Sequence, residues 1–105
     1  MNEVKAIEVP GQVHYIDGSF VGSVSGDTFD VINPATEEVV TTSARGGAED
    51  VALAVKAAKK AFDGGEWSRA KPSFRRKVLF KAADLIEARS AEIVARQTLE
   101  MGSPI

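Results

Sequence analysis

The sequence predicts an α/β segment: three N-terminal β-strands, a hairpin plus a third strand, followed by two to three α-helices. Three observations carry that prediction. Asp17-Gly18 sits between two short β-forming runs. Val39-Val40-Thr41-Thr42 is a β-branched block. From Val51 onward, apolar residues recur at three- and four-residue intervals, the period of a helix face.

The β region is expected over about residues 13–45. His14-Tyr15-Ile16 and Ser19-Phe20-Val21 flank Asp17-Gly18, a two-residue loop suited to the positive φ angles of a type I′ hairpin turn. Residues 1–12 read as a loose lead-in punctuated by Pro10-Gly11. Thr28-Phe29-Asp30-Val31-Ile32 reads as a strand that stops at Asn33-Pro34, because proline lacks a ladder donor and holds its predecessor extended. After the turn at Ala35-Thr36-Glu37-Glu38, Val39 to Arg45 reads as the third strand.

The helical region is expected over about residues 48–101. Glu49 and Asp50 place negative charge in a first turn, where the helix dipole favours it. Val51, Ala54, Val55, Ala58 and Phe62 form one apolar stripe, and Asp63-Gly64-Gly65 stops the helix. Pro72 suits a first helical position. Val78, Leu79, Ala82, Leu85 and Ile86 make a second stripe. Ser90 is expected to break or re-cap the helix before Ile93, Val94 and Leu99, with Gly102 and Pro104 as terminators.

Composition narrows the chemistry. With 105 residues the chain has room for one domain at most. A net charge of -2 argues against a binder of nucleic acid that relies on bulk positive charge. The chain has no cysteine, which removes disulfides, thiolate metal sites and a thiol nucleophile. No stretch has the length of a signal-peptide core or a membrane span, and a cytoplasmic setting is expected.

Candidate chemistry is sparse. No G-x-G-x-x-G or Walker-type loop is present, and the serines lack a nucleophile elbow. Gly46-Gly47 opens a helix that would attract phosphate, but Glu49 and Asp50 oppose it. His14 has no orienting acid nearby in sequence. Asp27 and Asp30, at odd spacing, point to opposite strand faces. Arg69, Lys71, Arg75, Arg76 and Lys77 cluster near a helix start, where a solvated face or ion pairing with other protein is favoured over nucleic acid. Trp67 reads as a packing anchor.

The ordered set of motifs resembles the opening of NAD(P)-dependent aldehyde dehydrogenases. The run from His14 to Val21 matches that family's hairpin, and Thr28 to Thr36 matches its strand and "NPAT" turn. Asp50 to Phe62, Trp67, Arg75 to Glu87 and Leu99 to Pro104 follow in the family's order. Glu37 departs from the family's usual turn glycine, and Gly47 from its usual capping residue.

The resemblance implies a fragment of the aldehyde dehydrogenase fold, residues 1–105 being its N-terminal segment. It implies an oxidoreductase that turns an aldehyde into a carboxylic acid with hydride transfer to NAD or NADP. In that family the catalytic cysteine and the cofactor residues lie beyond this stretch. The segment is therefore expected to be inactive alone and to bind no nucleotide.

The resemblance also implies one site, a monovalent cation (Na+ or K+) held by the backbone carbonyls of Val31 and Ile32 and the carboxylate of Glu100. The expected partners are the downstream part of the same enzyme or another dehydrogenase subunit, with marginal stability and self-association of the free chain. A non-catalytic interaction module derived from the family is the alternative. Neither nucleic acid nor membrane is expected as a partner.

Overall fold

The computed structural model describes residues 8–102. In order these form β1 (His14–Ile16), β2 (Ser19–Val21), β3 (Thr28–Ile32), β4 (Val39–Ala44), α1 (Ala48–Gly64), α2 (Pro72–Ala88) and α3 (Ser90–Met101). The β region holds four strands rather than three, because each of the four β-forming runs makes a strand of its own. They pair antiparallel as two separate two-stranded sheets, β1–β2 and β3–β4.

Local chemistry explains most boundaries. Asp17 and Gly18 have φ of 52° and 77°, as a type I′ turn requires. Pro72 opens α2 at its first turn. Gly65 and Gly102 end α1 and α3 in the left-handed conformation. A Cβ at Gly65 would also displace the Arg69 guanidinium. Arg69 donates from Nη2 to the carbonyls of Asp63 and Gly64 at 3.3 and 3.2 Å, closing the end of α1. One member of the basic cluster thus has a structural task.

Two expectations need correction. The break between α2 and α3 falls at Arg89, whose N–H reaches the Leu85 and Ile86 carbonyls. Ser90 begins α3 and makes no cap, because the backbone has already turned one residue earlier. Residues 10–12 are tied down rather than loose: Gln12 donates to the Thr42 carbonyl and accepts from Ala44 N, while Thr41 Oγ1 donates to the Pro10 carbonyl. The α1 stripe is largely uncovered, in keeping with a helix that has too little of this chain to pack against. Small residues Ala54, Ala57, Ala58 and Ala61 lie beside the hairpin at Tyr15–Gly18, while Val51 and Phe62 remain 61% and 69% exposed. A helix approaches another element most closely through its smallest side chains. Pro104 lies outside the described residues.

The core is small. Among the described residues its buried apolar members are Ala44, Ala95 and Leu99, and no large side chain is fully buried. The accessible surface is 8253 Å², whereas a folded monomer of this mass exposes about 5,700 Å². The radius of gyration is 17.3 Å, against about 13 Å for a domain of this length. The helices have the right local structure but too little to pack against.

Glu37, which stands where the family usually has a turn glycine, adopts φ of 62°. A Cβ is strained there and glycine is not. Glu37→Gly should therefore stabilise the folded chain by about 1 kcal/mol, less any gain in unfolded-state freedom. Equilibrium denaturation of the two proteins measures it, and a destabilised variant would refute the strain argument.

Candidate functional site

Two junctions gather polar groups from distant parts of the chain. The first centres on Asp50, in the opening turn of α1 and only 6% exposed. Gly47 N donates to its Oδ2 at 2.9 Å, and Val24 N donates to its Oδ1 at 3.0 Å. Gly47 has no side chain with which to cap the helix, so the Asp50 carboxylate reaching back supplies half of a capping box. His14 of β1 lies 3.7 Å away, Nε2 to Oδ1, too far for a direct hydrogen bond. That nitrogen is buried and has no hydrogen-bond partner.

The Gly47 N–H, then the Val24 N–H, hold the Asp50 carboxyl below its ordinary value of 3.8. Burial opposes them, and His14 assists. His14 does therefore have an acid beside it, contrary to the sequence reading. The pairing joins residues 36 positions apart and leaves no local signal; the absence of a capping side chain at Gly47, with a carboxylate three residues on, was the available hint. No serine, threonine or lysine completes a nucleophilic arrangement in the polar contacts made here. The junction fastens segments together.

The second junction is the turn after β3. Asn33 is buried; its Oδ1 accepts from Ala35 N at 2.9 Å, and its carbonyl accepts from Glu37 N at 2.7 Å. The β3–β4 ladder is irregular between Val31, opposite Thr41, and Ile32, opposite Val39. The end of α3 rests on this turn: a Cβ placed on Gly102 would sit 3.1 Å from Pro34 Cγ. Val31 is half-buried, while Ile32 and Glu100 are exposed. The fold thus brings the segment of Glu100 to the segment of Val31 and Ile32. Among the described residues no three His, Cys, Asp or Glu side chains converge as a metal cluster.

The remaining candidates are scattered. Asp27 precedes β3, and its carbonyl accepts from Ser23 Oγ and Arg45 N, while Asp30 sits in the ladder opposite Thr42. Trp67 packs edge-on to Phe74 at 6.4 Å, half exposed. The amide of Gly47 at the α1 N-terminus already binds a carboxylate, so the described residues do not fit the phosphates of a dinucleotide there. No described helix is long and apolar enough to cross a membrane.

A family model described as the aldehyde dehydrogenase family matches residues 20–105, and this chain belongs to that family. It is 53% identical over 90 residues to aldehyde dehydrogenase 1 of Tanacetum cinerariifolium, covering 86% of this chain and 18% of that protein. The crystal structure of the NAD-dependent aldehyde dehydrogenase from Sinorhizobium meliloti superposes with a TM-score of 0.88 at 40% identity, covering 99% of this chain and 20% of that one. Betaine aldehyde dehydrogenase from Staphylococcus aureus, solved in complex with NAD+, gives 0.89 at 35% identity, over 97% and 20% respectively. The chain spans about a fifth of the length of these relatives and corresponds to their N-terminal segment.

Protonating Asp50 removes the negative charge that both amides face and leaves one good acceptor oxygen for the two of them. A carboxyl held below its ordinary value in the folded chain stabilises the fold above that ordinary value. The contribution is lost as pH falls below 3.8 and through the folded value. Amide exchange at Val24 and Gly47 should be protected at pH 7 in the wild type and faster in Asp50→Asn. Under acid the two proteins should converge. A difference that persists unchanged at pH 2 would refute this account.

Proposed function

We propose that this chain serves as the N-terminal scaffold segment of an NAD(P)-dependent aldehyde dehydrogenase, whose reaction oxidises an aldehyde to a carboxylic acid and passes hydride to NAD+ or NADP+. The supporting observation is the mismatch between family-typical elements and their cover: the chain has the matching fold yet exposes roughly 2,500 Å² beyond a folded monomer of its mass. That is the scale of an obligate interface. The intended cover is the downstream part of the same enzyme or another dehydrogenase subunit. The proposed setting is cytoplasmic. The same uncovered surface supports a second reading, a non-catalytic interaction module of the same ancestry.

The chain's own contribution to the reaction is positional. Aldehyde oxidation of this kind needs a thiolate that attacks the carbonyl and a held nicotinamide. These 105 residues contain no cysteine. Purified alone and supplied with aldehyde and NAD+ or NADP+, the chain should give no reduced nucleotide above the buffer rate. Steady turnover, with contaminating full-length enzyme excluded, would sink the proposal.

We further propose that Na+ or K+ is held at the second junction by the carbonyls of Val31 and Ile32 and by Glu100. The ladder irregularity between the two β3 residues and the seat of α3 on the Asn33-Pro34 turn support this reading. Hard cations prefer such oxygen ligands. Replacing choline chloride by KCl or NaCl at constant ionic strength should raise the unfolding midpoint of the chain. Glu100→Gln should abolish that rise; an equal rise in the variant would exclude the site.

A further inference from the structure

We propose that one face of α2 is a self-complementary docking surface, and that its occupant is the same face of a second copy of this chain, packed antiparallel. This inference concerns the free chain and does not rest on the reaction proposed above.

Pro72, Arg75, Arg76, Leu79, Phe80 and Ala83 line a groove along α2. Their spacing of three and four residues makes them a single helical stripe. No residue of α2 is buried, and Leu79, Phe80 and Ile86 are among the exposed large apolar side chains. Arg76 lies over the Phe80 ring at 5.3 Å, keeping its charge at the rim of the apolar strip. Glu87 follows Arg76 by 11 positions. At 3.6 residues per turn that is about three turns, so the two opposite charges project from nearly the same side of the helix. Neither makes an ion pair among the described residues.

That placement selects the partner. Around a two-fold axis between Lys81 and Ala82, antiparallel copies of α2 place Arg76 opposite Glu87 of the second copy, and Glu87 opposite its Arg76. The same register sets Phe80 against the small Ala83. Leu79 meets Ile86 along the other rim, and Lys81 points away from the contact. Arg76 and Glu87 each find an opposite charge, and large side chains meet small or aliphatic ones. A two-fold contact of this kind uses one patch twice and closes after two copies. Charge pairs of this kind fix register more than they add affinity.

Sedimentation equilibrium of the 105-residue chain should show a concentration-dependent monomer–dimer equilibrium. Arg76→Glu and Glu87→Arg each place like charges opposite one another twice and should weaken the dimer by about tenfold or more. The double variant Arg76→Glu with Glu87→Arg should return close to the wild-type affinity. Helix content by circular dichroism identifies any variant that misfolds. The chain has no native cysteine, which permits a second, independent reading. Mixed Arg76→Cys and Glu87→Cys chains should oxidise to the mixed disulfide faster than either forms its own. A chain that stays monomeric, a dimer indifferent to the single reversals, a double variant that stays weak, or cross-linking without preference for the mixed pair would each overturn the proposal.

Discussion

Asp50 is the point where the separate parts of this chain are joined. A carboxylate in the first turn of a helix is favoured by the dipole wherever the helix goes. Here it also accepts the amide of Gly47 and, from 26 residues earlier, that of Val24. With His14 alongside, one side chain links β1, the loop after β2 and the start of α1. The two small sheets share no ladder, so their relation rests on such polar ties and on Gln12 bridging to β4. Hydrogen bonds of this type fix geometry well but contribute only modest net stability. The connections are therefore specific without being strong.

Strength in a fold of this size has to come from apolar burial, and this chain has little. A long stripe on α2 and the large residues of α1 face outward. The cause is arithmetic of shape rather than poor sequence design: two hairpins and three helices arranged over 47 × 35 × 17 Å cannot cover one another. The helices keep their dihedral order because capping, spacing and propensity act locally. Burial acts between elements, and here the elements are missing their counterparts.

That division also explains what could be read from residues alone. The Asp17-Gly18 turn, the start at Pro72 and the stops at Gly65 and Gly102 follow from interactions within a few positions, and each is visible in the sequence; the positive φ at Glu37 is signalled only by the glycine the family usually places there. The ordered motifs placed the chain in its family for the same reason. His14 beside Asp50 and residues 10–12 along β4 depend on which segments meet in space. Periodicity marks a helix face as apolar but does not name what covers it, so the contact of the α1 alanines with the hairpin was not legible, whereas the exposure of the large residues follows from the shortage of cover. The cation ligands proposed at Val31 and Ile32 are backbone atoms, to which side-chain identity is blind, and only the family resemblance could suggest them.

The two occupants proposed for the apolar helices compete on unequal terms. A covering segment tethered to the same polypeptide acts at an effective concentration on the order of millimolar, whatever the amount of protein present. A second copy must be supplied by the bulk solution and also loses translational freedom on docking. Wherever the tethered segment reaches the α2 stripe, it displaces the second copy; where the stripe stays open, the antiparallel pairing of Arg76 with Glu87 gives the two charges an ion-pair partner that they lack among the described residues. The same surface can thus serve as an internal seam or as a contact between copies, and which one forms is set by tether and concentration rather than by any change in α2 itself.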